Sequence, residues 1–144
     1  MQANHADLTD LSTCADIDAL LRDFYSRALI DEELVEPFTE LREQGLESHL
    51  PVMCDFWETV LFGTKSYRGS ALTVHKGLHE THPLTVVHFQ RWLVLWIEVV
   101  EERHAGPFAT RAVVQASRMA RAMSRQITGD RSWALGGPTE VHRR

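Results

Sequence analysis

Two cysteines, eight glycines and five prolines in 144 residues leave little of what disulfide scaffolds, low-complexity linkers or collagen-like repeats are made from. Cys14 and Cys54 lack C-x-x-C spacing, a pattern that suits reduced thiols in the cytosol. No apolar run approaches the roughly 18 residues needed to cross a bilayer, so no membrane association is expected. The opening M-Q-A-N-H-A-D has no basic cluster followed by an apolar core, so no secretory leader is expected and a cytoplasmic location is. There is no excess of positive charge. The formal net charge is −5, which argues against a nucleic-acid partner, and the Arg-rich stretch near 118–125 reads as a solvated helix face. Strand-length β runs, internal repeats and linkers are missing, as are the G-x-G-x-x-G and H-E-x-x-H signatures.

What remains is helical. A hydrophobic content of 44% with 24% charged residues fits one ordinary soluble domain of all-α class. Residues 1–12 are polar and read as an irregular lead-in. From Cys14 to Leu29, Ile17, Leu20, Leu21, Phe24, Tyr25 and Ala28 share one face, with Asp16 or Thr13 as N-cap. A buried Tyr25 needs a partner for its hydroxyl, and a backbone carbonyl would serve. Glu33 to about Gln44 forms a weaker segment that Pro37 should interrupt. Ser48 should cap a helix to Phe62, and Gly77 should keep the next one short, about Ser70 to His79. Thr85 caps the longest helix, about residues 86–104. Its apolar positions Val87, Phe89, Trp92, Leu93, Leu95, Trp96, Val99 and Val100 cover much of the circumference. After Gly106-Pro107, Phe108 to Thr128 resumes with small residues on one face, and Gly129 ends it. The domain is expected over 1–129, with a mobile tail over 130–144.

The stretch from His49 to His75 organises this plan. His49, Val52, Met53, Phe56, Trp57, Val60 and Leu61 recur at helical spacing, Pro51 falls in the first turn and Gly63 stops the helix. An imidazole stands at one end of this apolar, aromatic stripe. A second, His75, follows 26 residues later on a segment opened by Tyr67-Arg68-Gly69. Something flat, apolar and metal-containing could lie between them. His5, His82, His104 and His142 lie in the termini or beside helix breakers and are not expected to carry chemistry.

Phe24-Tyr25, Pro37-Phe38, His49-x3-Met53-x2-Phe56-Trp57, Phe62-Gly63, Tyr67-x-Gly69, His75-x2-Leu78 and His88-Phe89-x2-Trp92-Leu93, in this order, resemble the group III (P-type) truncated haemoglobins. The resemblance runs from about Phe24 to Trp92. It implies a 2-on-2 helical sandwich enclosing haem b, held without thioether bonds because C-x-x-C-H is missing. It implies His75 as the iron's ligand, with His79, one turn on, as the competitor. Tyr25, His49, Met53 and Trp92 are then expected around the ligand-binding side, Phe38 and Phe56 as its walls, and Tyr67 against the cofactor. Lys65, Tyr67, Arg68 and Lys76 are placed near the haem propionates by position alone. Met53 departs from the family, which often has a branched aliphatic residue there, and the family also varies between His75 and Trp92.

The activity implied is reversible binding of O2 and of NO, CO or cyanide. NO dioxygenation or peroxidase-like turnover would need an external reductase, because no flavin module fits this length. A different reading of the same residues is a helical interaction module with a structural zinc at His75 and His79, whose i, i+4 spacing suits a ligand pair. Zinc would want four ligands, and no thiolate pair is near.

Overall fold

The computed structural model describes residues 8–133. Six α-helices follow one another: α1 (Cys14–Ala28), α2 (Thr39–Gln44), α3 (Leu50–Phe62), α4 (Ala71–Thr81), α5 (Val86–Arg103) and α6 (Pro107–Thr128). Among the described residues there is no strand, only an isolated backbone bridge between Thr9 and His104. No helix among them is long and apolar enough to cross a membrane.

Local chemistry sets the helix starts. Both residues considered for the cap of α1 take part in it. The Thr13 hydroxyl accepts from the Asp16 amide at 3.1 Å, and the Asp16 carboxylate accepts from the Thr13 amide at 3.2 Å. The six residues assigned to the inner face of α1 are the ones buried. Thr85 caps α5 in the same reciprocal way, with His88 in the position usually held by Glu or Gln. Pro37 holds the chain in turns until α2 begins at Thr39.

One expected cap needs correction, and the rest of the chain adds detail. Ser48 does not cap α3: its hydroxyl donates to the Gly45 carbonyl at 3.4 Å, and His49 is the N-cap, without a side-chain cap bond. Gly77 lies inside α4, which is short as expected and runs two residues past His79 to Thr81, closing with the His82 amide on the Leu78 carbonyl. A helical glycine costs about 0.5–1 kcal/mol, too little to stop a helix held at both ends. Residues 8–12 are irregular, as expected, but they are packed against the rest of the fold. Leu11 is fully buried, and Asp10 accepts the amides of Phe108 and Ala109 at 3.0 and 2.8 Å, capping α6 from nearly the other end of the chain. Gly106 permits this, since its φ of +140° suits glycine and a Cβ there would stand 2.6 Å from Asp10 Cγ. Within the stretch expected as tail, Trp133 is buried with the Arg121 guanidinium over its ring. Residues 134–144 lie outside the described residues, as do His5 and His142.

α1 packs on α3 and α5, α5 on α6, and α6 on α3 and α4. The four long helices therefore close into a ring around one core. At its centre Trp57 of α3 stacks on Trp96 of α5, with ring centroids 4.6 Å apart and planes 16° from parallel. Trp96 in turn stacks on Trp92 at 5.9 Å. The Trp96 indole N–H donates to the Ala112 carbonyl, tying α5 to α6 where alanines allow close approach. Val87, read as part of the apolar surface of α5, is exposed, and Val86 and Ile97 are buried. α3 has two apolar faces where the sequence suggested one. Leu50, Cys54, Trp57 and Leu61 enter the core, while Met53 and Phe56 are half-buried and turn elsewhere.

Candidate functional site

Met53 and Phe56 turn into a cavity of about 520 Å³ between α1, α3, α4 and α5, reached also by α6. Its size lies within the ordinary range for ligand pockets, about 300–1,000 Å³. Tyr25, Phe38, His49, Met53, Phe56, Tyr67, His75 and Trp92, the eight residues singled out in the sequence, all line it. Of the four positions considered for propionates, Tyr67 alone is on the wall; Lys65, Arg68 and Lys76 are not.

One side of the cavity is built on α4. The His75 ring nitrogen Nδ1 lies 2.7 Å from the Ala71 carbonyl one turn back. A carbonyl can only accept, so Nδ1 carries the proton, and a neutral His75 has its lone pair at Nε2. His79 is in the opposite state. Its Nδ1 accepts the Leu84 amide at 2.8 Å, so a neutral His79 has its proton on Nε2, and the residue is not on the cavity wall. Adjacent turns of one helix thus hold two histidines in opposite tautomers. Leu78, the other half of the His75-x2-Leu78 motif, lines the cavity. The His82 ring reaches Glu36 at 2.7 Å, tethering the end of α4 to the segment that carries Phe38.

The other side is built on α1, α3 and α5. The Tyr25 hydroxyl lies 3.0 Å from His49 Nε2, so its partner is an imidazole and not the carbonyl expected. Burial pushes the Tyr25 phenol well above its ordinary range, so it keeps its proton. Burial, and then the facing His75, push the His49 imidazole down, so it is neutral at pH 7. The Phe38 ring meets Tyr25 edge-on at 5.9 Å. Trp92 is half-buried, and among the described residues its indole N–H has no hydrogen-bond partner, unlike that of Trp96. Tyr67 closes the rim, its ring 5.2 Å from that of Phe56 and its amide on the Thr59 hydroxyl. The Tyr67-x-Gly69 spacing has a steric reason: a Cβ on Gly69 would stand 2.7 Å from the Tyr67 hydroxyl.

The wall is mainly apolar and aromatic, with Glu40, Gln44, Ser48, Thr81 and His88 also on it, and it carries the His75 imidazole on one side and the tyrosine–histidine pair with the Trp92 indole on the other. A planar, apolar, metal-bearing cofactor fits this donor set. Zinc does not, since among the described residues no three His, Cys, Asp or Glu side chains gather as a metal site. Sequence reasoning did not single out the aliphatic and sulfur-bearing part of the wall, Leu34, Leu84, Met119 and Met123, because such side chains carry no signal that separates a cavity wall from a core. Compared with models of known families, with curated proteins and with solved structures, the chain finds no match in any of the three.

Proposed function

We propose that this chain is a truncated globin of the group III type that holds haem b in the cavity, with His75 as the protein ligand to iron. The observation that carries the reading is the His75 tautomer, with Nδ1 committed to Ala71 and Nε2 free at the wall of an apolar cavity. The ring of α1, α3, α5 and α6 supports it further, because two such pairs laid on one another make a 2-on-2 sandwich. Haem, if bound, would supply an iron able to take O2, NO, CO or cyanide.

The chain's own part follows from the wall. The bond from His75 to Ala71 orients the imidazole and fixes which nitrogen is available. Aromatic and aliphatic side chains keep bulk water away, which strengthens any hydrogen bond made inside. The Tyr25 O–H, the Trp92 N–H and, in one tautomer, the His49 N–H are donors for a small ligand that carries partial negative charge. The reading is of a binding protein for diatomic ligands in the cytoplasm; NO dioxygenation or peroxidase-like turnover would require an external reductant. Titration of the full chain with haemin tests it. A Soret band saturating at one equivalent is expected, and a linear rise with no break would overturn it.

A further inference from the structure

Outside the cavity, the fold brings together two residues that the sequence leaves far apart. Cys14 opens α1 and Cys54 lies in the middle of α3, and these helices pack on one another. Both cysteines line one cleft, with Asp18, Arg22, Glu47 and Leu50 around them. Both are free thiols, Cys14 exposed and Cys54 buried. We propose that Cys14 and Cys54 form a peroxide-responsive dithiol that closes to a disulfide stapling α1 to α3.

The positions assign the order of events. Burial, and then the neighbouring Cys14, push the Cys54 thiol up to about 12, so it stays protonated at neutral pH and does not compete for the oxidant. The exposed Cys14 sulfur, as thiolate, attacks one oxygen of hydrogen peroxide. The O–O bond breaks, an S–O bond forms, and the departing hydroxide takes a proton to become water. The Cys54 sulfur then displaces the oxygen from the Cys14 sulfenic acid, forming the S–S bond. The proton Cys54 gives up leaves with that oxygen as a second water. Two thiols lose two electrons and peroxide gains them. The staple would add a second tie between helices already joined by the Tyr25–His49 hydrogen bond. It concerns the thiols alone and holds whether or not the cavity takes haem.

The test treats the full chain with a small excess of hydrogen peroxide, followed by intact mass and non-reducing peptide mapping. Loss of two hydrogens from the mass, a Cys14–Cys54 cross-linked peptide and reversal by dithiothreitol are expected. Closing a loop of this length should raise the melting temperature by on the order of 10 °C. Cys54→Ser should stop at a Cys14 sulfenic acid that dimedone traps, and Cys14→Ser should take up neither change. Over-oxidation of Cys14 with Cys54 still open to alkylation, or a disulfide joining two chains, would overturn the proposal.

Discussion

A phenol and an imidazole nitrogen 3.0 Å apart can share their hydrogen bond in two ways. With the proton of His49 on Nδ1, the Tyr25 O–H donates to Nε2 and has nothing left for the cavity. With the proton on Nε2, His49 donates to the phenol oxygen and the Tyr25 O–H is free to turn inward. A ligand with negative charge on its outer atom favours the second arrangement, so the pair supplies a donor on demand. Trp92 needs no such exchange, since its N–H has no partner among the described residues. A hydrogen bond to a charged or strongly polarised group is worth roughly 1.5–3 kcal/mol, so removing one donor should speed O2 release by about 10- to 150-fold. Tyr25→Phe and Trp92→Phe each remove a donor and keep a ring, and stopped-flow displacement of O2 would read the change. CO, with less charge on its outer atom, should respond far less. The two effects need not add, because Phe24 touches both rings and couples them. A double variant that releases O2 no faster than the unaltered chain would leave both residues as wall.

At the scale of helices, what a sequence shows and what it hides divide along the chain. Periodicity located all six helices, because burial of one face repeats every three to four residues and leaves a local trace. The inner face of α1 was legible to the residue, and so was the role of Pro37. The ends fared worse. A cap bond can come from anywhere, and α6 takes its cap from Asp10, whose position in the sequence carries no sign of it. Asp10→Ala should therefore cost about 0.5–2 kcal/mol of stability, the usual range for loss of a cap, although the residue lies in a polar lead-in. Asp10→Asn, which keeps one acceptor, should lose less. Denaturant melts of the two variants would check the order, and equal stability of all three chains would show that the cap is idle. The two faces of α3 were hidden for a related reason: an apolar stripe does not say whether it meets a core or a cavity, and only the position of α4 separates Met53 and Phe56 from Leu50 and Trp57.

Across the whole molecule, the ring of four long helices fixes the core, and α4, held at its end by His82 and Glu36, brings His75 to the same cavity as the tyrosine–histidine pair. The eight candidate residues come from four helices and the segments between them, and their meeting in one cavity could be anticipated only through the ordered motifs, not from any single spacing. The resemblance named His75 over His79, but the physical difference between the two rings leaves no trace in the sequence. It depends on the Ala71 carbonyl and the Leu84 amide, which select opposite ring nitrogens. That selection is the centre of the account, and one measurement addresses it directly: the absorption spectrum of the His75→Gly and His79→Gly chains with haemin, before and after addition of imidazole. The account predicts that His75→Gly loses most of its haem and that imidazole, filling the vacated place, restores a five-coordinate spectrum, while His79→Gly binds haem as the unaltered chain does. Unchanged ligation in His75→Gly, or loss of haem in His79→Gly alone, would contradict it.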